Sequence, residues 1–122
     1  RSLEPLLRAS DAGRVVHLTT SVATAASAFW GAYAATKAGA EALMKTWADE
    51  IESTPIRVCV VDPGRLRTQL RAQAFPGEDP MDLDPPSAIA PLIVELARGD
   101  LTPPLTVKFK DWQAGPSVAA LV

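Results

Sequence analysis

Two apolar segments rich in β-branched residues, with a long helical segment between them, constrain the fold of this chain most. Residues 14–19 read Arg-Val-Val-His-Leu-Thr, and residues 56–61 read Ile-Arg-Val-Cys-Val-Val. Such continuous apolar runs are typical of strands covered on both faces in a parallel sheet. Two parallel strands need a crossover connection, and the helical segment supplies one. The sequence therefore predicts a βαβ unit.

The crossover helix is predicted to run from Tyr33 to about Ile51, and it opens with Tyr-Ala-Ala-Thr-Lys. We expect one face to be an apolar stripe and the opposite face to lie in water. Gly39 and the alanines on other faces permit close approach of another helix, and they could serve a sheet contact or a subunit contact. The predicted stripe is Ala40, Leu43, Trp47 and Ile51, and the predicted polar face is Lys45, Asp49 and Glu52.

Tyr33, the only tyrosine, and Lys37 are four residues apart and so share one helix face, with Cβ atoms about 5–6 Å apart. An ammonium about 5 Å from a phenol favours the phenolate by roughly 3 kcal/mol at an effective dielectric of about 20. A phenol activated in this way suits general acid–base catalysis at a carbonyl or alcohol. Taken alone, such a pair is more typical of a solvated helix edge than of a catalytic site.

The remaining segments complete an alternating order of helices and strands. Residues 1–10 have the pattern of the end of an amphipathic helix, and residues 105–109 that of a third strand. A further helix is predicted from Asp84 as N-cap and Pro85 to about Arg98, with a kink or a later start at Pro91. Gly99 and Asp100 are expected to end this helix, and Asp111 onward is expected to be a loosely held tail.

Composition excludes several classes of function. The 122 residues suit one domain or part of one, and the net charge of −2 leaves no basic excess for nucleic acid or an anionic membrane. Residues 22–35, the longest weakly polar stretch, are too short and too polar to span a bilayer. Cys59 is the single cysteine, which rules out an internal disulfide and a cysteine metal cluster and fits a reducing cytoplasm. Because the chain starts at Arg1 without a methionine, we expect a natural start further upstream.

Three landmarks resemble, in type and spacing, the second half of a short-chain dehydrogenase/reductase: Thr20, the Tyr33-x-x-x-Lys37 motif and the Pro63-Gly64-x-x-x-Thr68 element. Thr20 lies thirteen residues before Tyr33, where that family carries a serine, and Pro63-Gly64-x-x-x-Thr68 matches its P-G-x-x-x-T element. Residues 30–37, 47–50 and 71–80 resemble the YciK group of bacterial oxidoreductases within the family. The resemblance implies an α/β fold, the C-terminal half of a doubly wound parallel sheet of the Rossmann type, with roughly three strands and flanking helices.

The resemblance also implies catalytic roles. Tyr33 would donate a proton to a carbonyl oxygen as hydride arrives, and Lys37 would promote loss of the phenol proton and hold the ribose hydroxyls of the nicotinamide. Thr20 would polarise the reacting oxygen, with Ser21 as a possible stand-in for it. The additional methyl of a threonine in place of serine restricts χ1 and could crowd the substrate. Trp30 would roof the substrate pocket or fill a subunit contact.

Cofactor contacts are implied for the segment after the second strand. The cofactor would be NAD or NADP, and the substrate a small carbonyl or alcohol. The backbone of Pro63, Gly64 and Leu66 and the hydroxyl of Thr68 would position the nicotinamide amide. Thr68 could equally cap the helix that follows it, and both roles could coexist.

The glycine-rich phosphate turn of the family has no counterpart, since no Gly-x-Gly pair occurs. Residues 1–122 are therefore expected to be the C-terminal part of one NAD(P)-binding domain without its cofactor cradle, inactive alone, and cytoplasmic and homo-oligomeric in the full-length protein. The alternative is a non-catalytic dehydrogenase-like module for binding or assembly. A hydrolase built on His17, Ser21 and Asp62 is disfavoured because no G-x-S-x-G elbow is present.

Overall fold

Three parallel strands form one sheet in the order β1-β2-β3 in the computed structural model, which describes residues 2–25, 27–98, 105–115 and 118. Helices lie on both faces of this sheet, which confirms the predicted α/β class and the βαβ unit. The elements are α1 (Glu4–Arg8), β1 (Arg14–Leu18), α2 (Gly31–Glu50), β2 (Arg57–Asp62), α3 (Gln69–Ala74), α4 (Ala90–Ala97), β3 (Thr106–Lys108) and α5 (Phe109–Ala114).

The register of the strands brings two loops to one edge of the sheet. Leu18 at the end of β1 pairs with Val61, one residue before the end of β2. The segments that leave these strands therefore start side by side, as they do at the carboxyl edge of any parallel sheet. Within the described ranges β1 pairs only with β2, so its other edge is open.

One face of the sheet is covered by α1 and α2. Ile51, Ile56 and Val58 form a buried cluster there, against which Met44 and Trp47 pack. The predicted apolar stripe is wrong at Leu43, whose side chain is 69% exposed. Each helical residue turns by about 100°, so Met44 rather than Leu43 points to the sheet. Leu43 instead lines an open groove of about 590 Å³ between α1 and α2.

The other face carries α4 and α5. Their side chains meet those of β2 and β3 in the larger buried cluster. Burial raises the pKa of the Cys59 thiol to about 12, as expected for a core cysteine. The cluster comprises Cys59, Val61, Ile89, Leu92, Leu96, Val107, Phe109 and Val118.

The predicted helix after Asp84 begins later than its N-cap signal indicated. A 3₁₀ turn, Pro86–Ile89, precedes α4, and Pro91 lies in the first turn of α4, where a missing N–H is tolerated. Asp84 does not cap a helix; its carbonyl accepts the N–H of Arg67 at 2.8 Å and ties two loops together. The predicted ending at Gly99 and Asp100 lies outside the described residues.

The predicted loose tail is wrong for the segment that includes Asp111. Phe109 is buried, and the Trp112 ring stacks on it at a centroid distance of 5.9 Å. The Glu95 carboxylate accepts hydrogen bonds from Trp112 Nε1 at 2.8 Å and from the N–H of Val118 at 2.7 Å. Aromatic burial and a carboxylate anchor therefore hold α5 against α4. None of the helices in the described ranges has both the length and the apolar character of a membrane span.

Candidate functional site

Three hydroxyl residues follow β1 at the carboxyl edge of the sheet. The N–H of Thr19 donates to the Val61 carbonyl at 2.8 Å, which extends the pairing of β1 with β2 by one residue. Thr20 is half-buried and extended, with φ −161° and ψ 151°. Ser21 is exposed and opens a 3₁₀ turn, Ser21–Ala23, that packs against α2. Thr20 and Ser21 thus begin the segment that leaves the sheet edge and packs against the helix that carries Tyr33.

Tyr33 and Lys37 lie in the first turns of α2, and both side chains are half-buried. The Trp30 ring meets the Tyr33 ring edge to face, with centroids 5.4 Å apart and planes at 72°. Lys37 Nζ donates a hydrogen bond of 3.1 Å to the carbonyl of Leu18. The ammonium is therefore directed to the carboxyl end of β1, where Thr20 and Ser21 follow.

The segment after β2 contains the residues for which the sequence predicts cofactor contacts. Gly64 has φ +67°, a conformation that a side chain disfavours, and its N–H donates to Asp62 Oδ1 at 3.0 Å. A Cβ on Gly64 would meet no atom within 4 Å, so this piece of backbone is open to a ligand. Pro63 is half-buried, and Leu66 forms a bridge with Asp84.

Thr68 caps α3. Its hydroxyl oxygen accepts the N–H of Arg71 at 3.2 Å, which confirms the capping alternative. A threonine hydroxyl that accepts one hydrogen bond still has its proton to donate. Capping therefore leaves Thr68 able to serve a ligand as well.

Stacked side chains connect the α3 segment with Trp30, the residue before α2. The rings of Trp30 and Phe75 are 5.8 Å apart and inclined by only 16°, and the Arg71 guanidinium lies 3.6 Å from the Phe75 centroid. Glu78 fixes that guanidinium with two hydrogen bonds of 2.6 and 2.8 Å. The Arg71 guanidinium, by donating these bonds, lowers the pKa of Glu78. Trp30 thus contacts Tyr33 on one side and the α3 segment on the other.

A buried polar cluster near this edge was not predicted from the sequence. Glu41 is only 6% exposed; it accepts the Thr19 hydroxyl at 2.7 Å and forms an ion pair with Lys45 at 2.6 Å. The bonds from Lys45 and Thr19 lower the pKa of Glu41. The signal was available, since Glu41 follows Lys37 by four residues and so shares the face of Tyr33 and Lys37.

His17 faces the same cluster from β1. Its Nε2 is buried, and within the described residues no hydrogen-bond partner reaches that atom. Burial, and then the charge of Lys37, lower the pKa of His17, while Glu41 acts in the opposite direction. Among the described residues no group of three His, Cys, Asp or Glu side chains could hold a metal ion.

A parallel sheet with helices on both faces, and with polar groups at its carboxyl edge, defines a Rossmann-type α/β protein. The chain belongs to the short chain dehydrogenase family, whose model matches residues 1–79. This result confirms the family resemblance found in the sequence.

Relatives and solved structures agree with this assignment. Over 100 residues the chain is 45% identical to the uncharacterized oxidoreductase YciK of Escherichia coli K12, covering 82% of this chain and 39% of YciK. A short chain dehydrogenase structure from Salmonella enterica serovar Typhi matches with a TM-score of 0.83 and 41% identity, covering 88% of this chain and 45% of that one. A chain from Shigella flexneri 2a, described as a short chain dehydrogenase complexed with NADP, gives a TM-score of 0.81 and 42% identity, with 88% and 45% covered. The chain therefore spans less than half the length of these proteins.

Proposed function

We propose that this chain is the catalytic part of an NAD(P)-dependent oxidoreductase that transfers hydride between a nicotinamide cofactor and a carbonyl or alcohol. The observation that carries the proposal is the hydrogen bond from Lys37 to the Leu18 carbonyl, which directs the ammonium to the edge where the β1 and β2 loops begin. Family membership and the NADP complex of the Shigella chain support the choice of cofactor.

The residues at this edge fit the nicotinamide end of such a cofactor. Lys37 offers a cation to the ribose hydroxyls, and the open backbone at Gly64 with the Thr68 hydroxyl offers hydrogen bonds to the amide. The cofactor would supply or accept the hydride. Tyr33 would move the proton on or off the substrate oxygen, and Thr20 or Ser21 would hydrogen-bond that oxygen. Trp30 would form an aromatic wall beside it.

We further propose that residues 1–122 lack the pyrophosphate cradle and that the chain alone does not turn over substrate. No Gly-x-Gly pair is present in the sequence. In Rossmann-type domains such a turn lets a helix N-terminus meet the pyrophosphate. The cradle would have to come from a preceding segment, as it does in a full dinucleotide-binding domain.

A chimera tests both parts of this proposal. The region of YciK that precedes its match to this chain is joined to residue 1, and NADPH oxidation is followed with a panel of aldehydes and ketones. We expect saturable NADPH binding and turnover by the chimera and neither by residues 1–122 alone. Tyr33→Phe should abolish turnover while leaving NADPH binding nearly intact. An equally active Tyr33→Phe chimera would remove Tyr33 from the mechanism, and turnover by the isolated chain would refute its inactivity.

The alternative of an assembly module rests on the exposed apolar side chains around the α1–α2 groove. Leu3, Leu6 and Leu43 are 68%, 70% and 69% exposed, and together they suit contact with a second copy of the chain. Light scattering of the chimera before and after Leu43→Glu would test assembly. A charge at this position should shift the mass to that of a monomer if the groove is an interface.

A further inference from the structure

We propose that Glu41 is a positioning residue for the reaction, acting through Thr19 to set where Thr20 meets Tyr33. This inference rests on the proposed function and adds to it a residue that the catalytic motif does not include. The inference starts from a buried hydrogen bond of 2.7 Å, which the Thr19 hydroxyl donates to Glu41 Oε2.

The two groups that must meet at the substrate lie on different elements. Tyr33 is in the first turn of α2, whereas Thr20 follows β1. Among the described residues, two side-chain hydrogen bonds join α2 to this end of β1: Lys37 donates to the Leu18 carbonyl, and Glu41 accepts from the Thr19 hydroxyl. The relative position of α2 and the β1 terminus is therefore set by two successive residues of the strand.

Only one of these two bonds is made by a group with no role in cofactor binding. In the proposed function the Lys37 ammonium, which has three N–H donors, also serves the ribose, so its bond to Leu18 depends on how the cofactor lies. Glu41 is only 6% exposed, so a bound cofactor has little access to it. Its bond with Thr19 can persist through the reaction cycle and keep the β1 terminus fixed.

The bond to Glu41 matters because it is one of two hydrogen bonds that hold Thr19 in place. The Thr19 N–H is fixed by the Val61 carbonyl at 2.8 Å, and its hydroxyl is fixed by Glu41. Thr20 continues the extended backbone directly after Thr19, so the way Thr19 is held helps to fix the direction of the Thr20 side chain. Loss of the Glu41 bond frees the Thr19 rotamer and relaxes the direction of Thr20.

Lys45 can be compared with Thr19, because both residues bond the Glu41 carboxylate. It pairs with the other carboxylate oxygen, Glu41 Oε1, and its side chain is 43% exposed. Both bonds stabilise the charge of Glu41, but only the Thr19 bond connects Glu41 to the end of β1. Lys45→Met removes the ion pair alone and Thr19→Val removes the Thr19 bond alone, so these two variants separate charge stabilisation from positioning.

The test compares matched variants in the YciK chimera. Thr19→Val and Glu41→Ala remove the bond; Thr19→Ser and Glu41→Gln retain a hydroxyl and an amide acceptor. We expect kcat to fall by about 10- to 100-fold in the first pair, the range that small misplacements of reacting groups produce, with KM for NADPH changed less than about twofold. The second pair and Lys45→Met should keep kcat within about threefold. Near wild-type kcat in Thr19→Val, or a loss in Lys45→Met as large as in Glu41→Ala, would overturn the proposal.

A second measurement does not depend on turnover. Amide chemical shifts of Thr20 and Tyr33 are compared in residues 1–122 and in the same variants. Thr19→Val should move the Tyr33 signal, and Thr19→Ser and Lys45→Met should leave it in place. The Thr20 signal adjoins every Thr19 substitution, so it is compared in Glu41→Ala, which should move it, and Glu41→Gln, which should move it less. An inactive wild-type chimera would defeat the proposed function alone, and these shifts would then decide the role of Glu41: an unmoved Tyr33 signal in Thr19→Val would refute it.

Discussion

The ammonium of Lys37 lies 3.1 Å from the main-chain oxygen of Leu18, the last residue of β1. A lysine that begins one helical turn after a tyrosine is thereby directed to the carboxyl edge of a parallel sheet. Since the loops of β1 and β2 both leave from that edge, one hydrogen bond joins the helix motif to the region where a Rossmann-type protein binds its ligand.

Replacement of Lys37 by methionine should separate stability from cofactor binding. A single exposed hydrogen bond contributes about 0.5–1.5 kcal/mol, so the free energy of unfolding should fall by no more than that. In the YciK chimera, NADPH affinity should fall at least about tenfold because the ribose loses its cation. Fluorescence titration measures the affinity, and Lys45→Met serves as the matched control with unchanged affinity. Equal affinities in the two variants would remove Lys37 from the cofactor site.

Acidification should destabilise the chain in two steps. Burial lowers the pKa of His17 below 6.5, and bonds from Lys45 and Thr19 lower the pKa of Glu41 below 4.5. In each case the unfolded state binds more protons, so stability is present above the unfolded pKa and is lost as the pH falls through the folded pKa. Urea unfolding between pH 7 and pH 4 measures the loss.

Two variants show which side chain causes each step in the loss of stability. His17→Leu should flatten the part of the curve that begins near pH 6.5, and Glu41→Gln should flatten the part below about pH 4.5. A curve that keeps its full slope in both variants would show that other groups control the acid response.

Removal of the Phe75 ring should loosen α3 against the site. Phe75 stacks on Trp30 and lies under the Arg71 guanidinium, contacts that are each worth about 0.5–1.5 kcal/mol. Phe75→Ala should therefore change Trp30 fluorescence and raise KM for a carbonyl substrate of the chimera several-fold. Phe29→Ala is the control, because the Phe29 side chain is fully exposed. A KM that responds equally to both variants would argue against an aromatic wall formed with α3.

Truncation of Glu95 should release the C-terminal helix. Its carboxylate accepts hydrogen bonds from Trp112 and Val118, and a part-buried donor left without its partner costs about 1–3 kcal/mol. Glu95→Ala should lower the free energy of unfolding by that amount and raise amide exchange in α5, while Glu95→Gln should lose less. Unchanged exchange in α5 would show that the Phe109 and Trp112 packing alone is sufficient.

The C-terminal segment also shows where reasoning from the sequence failed. The sequence predicts a loosely held tail from Asp111 onward, whereas the structure places Asp111 in α5. What orders this helix is Glu95, seventeen residues before Trp112, together with burial of Phe109 beneath α4. Short local windows contain no information about such a distant partner.

Leu43 and Glu41 illustrate the same limit within a helix. Periodicity correctly predicted an amphipathic helix, but the face that meets the sheet is centred on Met44 and Trp47, which leaves Leu43 exposed. A glutamate is ordinarily placed in water, yet Glu41 is buried because Thr19 and Lys45 satisfy its carboxylate. The exact rotation of a helix on a sheet depends on packing across the interface.

The sequence by itself determined the alternation of strands and helices, the parallel α/β class and the spacing of Thr20, Tyr33, Lys37 and the Pro63-Gly64 turn, because periodicity and motif spacing are local properties of the chain. Only the tertiary structure decided that Lys37 reaches β1, that Glu41 is buried under Thr19 and that Trp30 joins Tyr33 to Phe75. These contacts connect residues from different elements, and their partners are set by how the helices pack on the sheet.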